Sequence, residues 1–241
     1  MNELVFIVET LCIFGLLTLV DRVFSKEGVI AWVGLATVLA NVITAKNASI
    51  FGLNTAIGTV MFASTFLATD ILTENYGKEY AKKAVKIGLF SSVLLIISTQ
   101  IALRYIPSAI DYADASMRVL FGMNLRISLS SMIMYFIANM ADIYLFTKIK
   151  EKTNGKKMWL RNNVSTILCN CLENFGFIFL AFIGIYDIKT ILSIAIGTSI
   201  IEMIAAILDT PFLYLSKING SKLNAKDKTN GLDNGRQPAT P

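Results

Sequence analysis

Long apolar runs separated by short polar connections dominate the first 216 residues of the chain. Each run is long enough to cross the hydrocarbon core of a membrane as a helix, at a rise of about 1.5 Å per residue. The first run lacks the basic start of a signal peptide, so we do not interpret it as one. Because it carries two glutamates, we count either six crossings without it or seven with it. The pattern predicts an all-α, polytopic membrane protein. The seven runs are 3–20, 28–45, 53–72, 84–106, 123–146, 164–186 and 190–215.

Several of these runs carry polar side chains in narrow stripes. At about 100° per residue, Thr166, Asn170 and Glu173 fall on one face of the sixth run. An ionised carboxylate near the bilayer centre costs at least about 2.5 kcal/mol, so we expect these stripes to face protein or water. They therefore predict a polar pocket inside the membrane. The candidate substrate-binding residues are Asp70, Tyr135, Asn139, Asp142, Ser165, Thr166, Asn170, Glu173 and Glu202.

Two further charged residues have competing interpretations. Arg126, near the outer end of the fifth run, is either a snorkelling interface residue or a counter-ion for a buried carboxylate. Sequence alone leaves both open, and Arg126 therefore joins the candidate site. Glu74 follows the third run and is close to Lys78 and Lys82. We expect it to join a charge cluster that holds the loop rather than to contact a ligand.

Composition supports the membrane assignment and indicates an orientation. The chain is 54% hydrophobic and 16% charged, whereas a soluble domain has about 25% charged residues. The net charge of +5 comes mainly from short connections, where basic residues mark the cytoplasmic side, so we expect no nucleic-acid partner. With seven crossings, one side carries 17 lysines and arginines and the other carries 4. This bias predicts one domain over 1–216 with its N-terminus outside, and a basic, disordered cytoplasmic tail over 217–241.

Several kinds of chemistry are disfavoured by what the sequence lacks. It contains no histidine, which removes histidine-based proton relays, catalytic triads and haem ligation. Its three cysteines lie in apolar runs without metal-binding spacing. We therefore expect neither a metal site nor a cofactor, and no enzymatic activity.

Three segments of the chain resemble a known family. They are FLATDILTENYGKEYAKKAV at 66–85, NLRISLSSMIMYFIANMADIYLF at 124–146 and NNVSTILCNCLENFGFIFLAFIG at 162–184. In order and spacing they resemble the bacterial queuosine precursor transporters, of the vitamin-uptake-transporter-like class. The similarity extends over residues 30–216 and is most distinctive where an acidic element precedes a basic helix at 69–83.

The resemblance implies an inner-membrane importer of 7-deazaguanine compounds, namely preQ0, preQ1 or queuine, which are precursors of the tRNA nucleoside queuosine. The family commonly has aspartate where this chain has Glu173, and glutamine near Asn170. We hypothesise that Glu173 or Glu202 accepts the N–H groups of the guanine-like edge, because a carboxylate accepts two such bonds side by side. Polar positions matching the family are Asp70, Arg126, Asn139, Asp142, Ser165, Asn170 and Glu173.

Two alternatives stay open at this point. The chain could be the substrate-binding subunit of a vitamin importer that works with a partner ATPase, since it has no nucleotide-binding motif of its own. It could instead be a membrane enzyme acting on lipid-linked substrates, although the missing histidine and metal motif argue against that. The oligomeric state is not indicated by the sequence.

Overall fold

A computed structural model describes the backbone of residues 1–122 and 125–233, and their side chains except at 54, 125 and 218–233. Within this part the chain forms seven helices and one two-stranded sheet. Five helices are long and apolar enough to cross a membrane, namely α1, α3, α5, α6 and α7. The elements are α1 (Asn2–Ile43), β1 (Asn47–Ile50), β2 (Leu53–Ala56), α2 (Thr59–Asn75), α3 (Lys78–Ala102), α4 (Asp114–Phe121), α5 (Leu125–Lys152), α6 (Met158–Phe182) and α7 (Ile188–Asp233).

α1 combines the first two predicted runs. Its 42 residues would span about 63 Å if straight, roughly twice the hydrocarbon thickness. At Ser25, where φ is 52°, the backbone leaves the helical conformation and the helix is broken by a kink. The predicted connection over 21–27 is therefore mostly helical.

A β-hairpin follows α1, where the sequence pattern predicts the start of a helix at 53. β1 and β2 pair antiparallel, and Phe51 and Gly52 both have positive φ in the turn between them. Positive φ at both central residues is the requirement of a tight hairpin turn. The hairpin contacts the chain start, because the Asn2 side chain donates to the Ser49 carbonyl at 2.9 Å. The prediction of a helix over 53–58 is thus wrong, and the helix of the third predicted run, α2, begins at Thr59.

α2 lies at the centre of the bundle and packs against α1, α3, α5 and α7. Fourteen of its 17 residues are buried. Small side chains such as Ala63, Ser64 and Ala68 allow neighbouring helices to approach closely. At about 26 Å it is slightly shorter than the hydrocarbon core of a membrane.

The outer surface of the bundle is apolar. Leucine, isoleucine and phenylalanine side chains of α1, α3 and α5 are exposed, Leu35 at 65% and Phe90 at 68%. A soluble protein rarely exposes such a continuous apolar surface, whereas a lipid-facing helix requires it. The helical, multi-pass membrane architecture is therefore confirmed.

The connections between the helices meet at two ends of the bundle. At one end, Tyr76 and Ser216 both donate to the Asp21 carboxylate, at 2.8 and 2.6 Å. At the other, Arg126 of α5 donates to the carbonyl of Ile183. We call these the basic end and the hairpin end.

Two predicted connections differ from the structure. The connection over 104–122 contains the short helix α4, whose eight residues include none that are buried. The last helix, α7, continues beyond 216 to Asp233, into the predicted tail, and residues 234–241 lie outside the described part. The division into a domain and a tail stays a prediction.

Candidate functional site

A cavity of about 460 Å³ lies in the half of the bundle at the hairpin end. Its volume is in the range of small-molecule sites, which is about 300–1,000 Å³. Side chains from every helix and from the hairpin contribute to it. The polar lining residues are Asn41, Thr44, Asn47, Thr55, Thr59, Ser92, Thr99, Gln100, Ser128, Ser131, Glu173, Asn174, Thr198 and Glu202.

Two carboxylates from adjacent helices face this cavity. Glu173 belongs to α6 and Glu202 to α7, and both line the cavity. The Asn174 amide donates to one oxygen of Glu202 at 2.6 Å. This bond joins α6 to α7 and fixes the direction of the Glu202 carboxylate.

Aromatic side chains form part of the cavity wall. Phe62 of α2 and Phe177 of α6 both line it, and Phe177 packs edge-on against Phe182 with ring centroids 6.3 Å apart. At the hairpin end, the Gln100 amide donates to the Phe121 carbonyl at 2.6 Å. This bond ties the end of α4 to α3 beside the cavity.

Of the ten sequence-predicted site residues, only Glu173 and Glu202 line the cavity. The sixth-run stripe divides, since Thr166 and Glu173 are seven residues and about 10 Å apart along α6. Thr166 lies towards the basic end, in a separate buried group. The eight that do not line the cavity are Asp70, Arg126, Tyr135, Asn139, Asp142, Ser165, Thr166 and Asn170.

That buried group contains three aspartates with no exposed surface: Asp70, Asp142 and Asp209. We call them the aspartate cluster. Thr166 donates to Asp70 at 3.4 Å, and the Asn162 amide donates to Asp209 at 2.6 Å. The cluster joins α2, α5, α6 and α7 between the cavity and the basic end. Among the described residues, no group of three or more carboxylate or thiol side chains is arranged to hold a metal ion.

Three of the other predicted residues make contacts between helices or within one helix, whereas the buried Asn170 amide has no hydrogen-bond partner in the described part of the chain. The Tyr135 hydroxyl lies 3.3 Å from the Thr37 hydroxyl of α1. Arg126 donates to the Leu180 carbonyl at 2.8 Å, as well as to Ile183, and so holds the start of α5 against the end of α6. Asn139 donates to the carbonyl of Tyr135, one turn earlier in its own helix.

The basic end is closed by ion pairs around Glu74. Its carboxylate contacts Lys150 at 2.9 Å, Arg161 at 2.6 Å and Lys217 at 2.8 Å. We call these four residues the Glu74 cluster, and it links α2, α5, α6 and α7. A charge cluster at Glu74 is confirmed, although its partners are not the neighbouring lysines of the sequence.

Glu74 follows the apolar part of α2, and the other residues of the Glu74 cluster change the pKa of its carboxyl group. Burial alone would raise the pKa of Glu74. Hydrogen bonds from Lys217 and Lys150, with the charge of Arg161, outweigh burial and hold the pKa below its usual value of 4.5. Glu74 is therefore ionised at neutral pH and holds three cations.

Three residues of these sites are missed by the sequence patterns. Asn174 and Gln100 lack a periodic signal of their own, because their importance depends on partners in other helices. The sequence indicates that Arg161 is one of the basic residues that mark the cytoplasmic side. In the structure it has no exposed surface, and its guanidinium carbon lies 5.2 Å from the centroid of the Phe146 ring. A signal was available for Asn174 alone, since it directly follows Glu173, a carboxylate within an apolar run.

Comparison with known proteins gives a consistent family. A family model described as "Putative vitamin uptake transporter" matches residues 56–216. A "Probable queuosine precursor transporter" of Bacillus subtilis strain 168 is 32% identical over 205 residues, which cover 85% of this chain and 90% of the relative. A "Queuosine precursor transporter" of Escherichia coli strain K12 is 27% identical over 162 residues, covering 63% and 67%. No solved structure matches the chain.

Proposed function

This chain belongs to the vitamin uptake transporter family that includes the queuosine precursor transporters, and from that premise we propose that it imports 7-deazaguanine precursors of queuosine. The observation that carries the proposal is similarity along almost the whole length of a relative with that name. The fold supports it, because several apolar helices surround an internal cavity of suitable size.

In this proposal the chain crosses the bacterial inner membrane seven times. The two parts of α1 contribute two crossings, α2 with the hairpin contributes a third, and α3, α5, α6 and α7 complete the set. The N-terminus and hairpin face outward, and the Glu74 cluster lies at the cytoplasmic face. The excess of lysine and arginine at the basic end supports this orientation.

The ligand binds in the cavity at the hairpin end. A 7-deazaguanine presents a ring N–H beside an exocyclic amine, and Glu173 accepts both. Phe62 and Phe177 provide faces for stacking on the planar base. The polar residues nearer the basic end support the helices that carry the cavity: Asp70, Asn139, Asp142, Ser165, Thr166 and Asn170.

Loss of the Glu173 charge tests the assignment. Cells unable to make queuosine precursors are supplied with labelled preQ0, preQ1 or queuine, and uptake is followed with the chain as their importer. We expect Glu173→Gln to lower uptake by about a hundredfold or more, because the base edge loses an acceptor that takes two N–H groups side by side.

A matched control is Glu151→Gln, the same chemical change at an exposed position of α5. It should leave uptake unchanged, and both variants should reach the membrane in equal amounts. Normal uptake by Glu173→Gln would overturn the ligand-binding assignment. Absence of uptake by the unchanged chain would overturn the proposed function itself.

A further inference from the structure

The cavity holds more carboxyl groups than the base edge of a deazaguanine requires. Glu173 and Glu202 both line it, and among the described residues no lysine or arginine does. One carboxylate is enough for the N–H groups of a guanine-like edge. If the second carboxyl group were ionised, it would lie inside the bundle without a compensating charge, which is costly.

The two carboxylates also differ in their open hydrogen-bonding capacity. Glu202 already accepts a bond from Asn174 at 2.6 Å, which leaves its other oxygen for a ligand. No described side chain donates a hydrogen bond to Glu173. Glu173 can therefore accept two parallel N–H groups, whereas Glu202 suits a single, compact donor.

A primary ammonium group is such a donor. It is compact, carries a full positive charge and has three N–H groups directed apart. We propose that the cavity selects a deazaguanine bearing a primary ammonium group over neutral deazaguanines, with Glu173 on the base edge and Glu202 on the ammonium. This inference rests on the proposed function and specifies its substrate class.

Asn174 is a positioning residue in this arrangement. Its bond to Glu202 connects α6 to α7, so the carboxylate that meets the ammonium is fixed relative to the carboxylate that meets the base. The bond thereby fixes the separation of the two carboxylates. A flexible or shorter cation should be a poor substrate.

The test compares three deazaguanines that differ at one substituent: 7-aminomethyl, which is cationic, and 7-hydroxymethyl and 7-cyano, which are neutral. Initial uptake rates are measured in proteoliposomes containing the full chain. We expect the KM of the aminomethyl compound to be about thirtyfold lower than that of the hydroxymethyl compound, since the two have nearly the same shape and differ in charge.

Glu202→Gln should abolish this discrimination. The KM for the aminomethyl compound should rise about thirtyfold, while that for the cyano compound stays equal or falls. Uptake of the cyano compound thus reports folding within the same variant. Glu202→Asp, which keeps the charge, should retain part of the preference.

Equal KM values for the cationic and neutral compounds in the unchanged chain would overturn this inference and leave the proposed function intact. An equal loss for all three compounds in Glu202→Gln would also overturn it. If none of the three is taken up by the unchanged chain, the proposed function fails together with the inference.

Discussion

At Gly88, a single hydrogen atom in place of a side chain allows three helices to meet. A Cβ atom there would collide with the Tyr135 hydroxyl of α5 and would lie 3.0 Å from the Thr37 hydroxyl of α1. Tyr135 and Thr37 are both buried and contact each other. The rigid ring of Tyr135 cannot move aside without breaking this packing.

Gly88→Ala should therefore destabilise the protein by about 1–3 kcal/mol, the usual cost of inserting a methyl group into a packed core. Thermal unfolding in detergent measures the change. Gly197→Ala on α7 is the matched control, because nothing lies within 4 Å of its added Cβ. Equal unfolding temperatures for the two variants would contradict the close approach at Gly88.

Single residues differ in how far the sequence predicts their roles. Glu173 and Glu202 are predictable, because a carboxylate deep in an apolar run needs a partner or a ligand. The separation of Glu173 from Thr166 into different sites is not predictable from helical periodicity, which gives the face but not the depth at which a cavity lies. The role of Arg161 depends on contacts with other helices, which no local sequence pattern contains.

Among the elements, α2 is connected to α5, α6 and α7 by the Glu74 cluster. A neutral glutamine at 74 would leave buried Arg161 without its carboxylate. Breaking a buried ion pair costs about 3–5 kcal/mol, and partial exposure of Lys150 and Lys217 reduces this. We expect Glu74→Gln to lower stability by about 2–3 kcal/mol at pH 7.

We also expect the difference in stability between the unchanged chain and Glu74→Gln to depend on pH. Because the pKa of Glu74 is lowered by folding, the stabilisation is complete above its usual pKa of 4.5 and is lost as the pH falls through the lowered value. The difference in unfolding temperature between the unchanged chain and Glu74→Gln should be constant from pH 7 to 5 and then shrink. If the difference in unfolding temperature persisted unchanged in stronger acid, it would contradict the ion pairs. The control variant Glu151→Gln should have the same unfolding temperature as the unchanged chain at every pH.

Elements were predictable where they are long and apolar. The helices α3, α5, α6 and α7 agree with the predicted runs and extend beyond them into the basic connections. Lysine and arginine favour helices, and at the end of a helix their long side chains can reach water. The sequence did not predict the hairpin because β2 and α2 fall within one predicted run, without a polar connection between them. α4 escaped because it has no buried face from which a period could be recognised.

For the molecule as a whole, the cavity and the Glu74 cluster lie at opposite ends. The proposed orientation places the cavity nearer the outside. Single cysteines in a background without Cys12, Cys169 and Cys171 test this with a membrane-impermeant maleimide. A cysteine at Tyr112, exposed at 95%, should react in intact cells.

A cysteine at Lys156, in the exposed loop at the basic end, should react only after the cells are permeabilised. Both sites should react equally once the membrane is open, which controls for intrinsic accessibility. The reverse labelling pattern would contradict the proposed orientation without affecting the fold.

The bond between Ser216 and Asp21 bears on how the protein is made. It joins a residue of the first helix, α1, to a residue of the last helix, α7, and the two are 195 positions apart in the sequence. At about 5–20 residues per second, a ribosome needs about 10–40 s to reach the second partner after making the first. During that interval Tyr76 is the native hydrogen-bonding partner of Asp21 that is already made, among the residues whose side chains the structure describes. Closure of the basic end is consequently a late event of biogenesis, and a nascent chain stalled before its last helix remains open at that end.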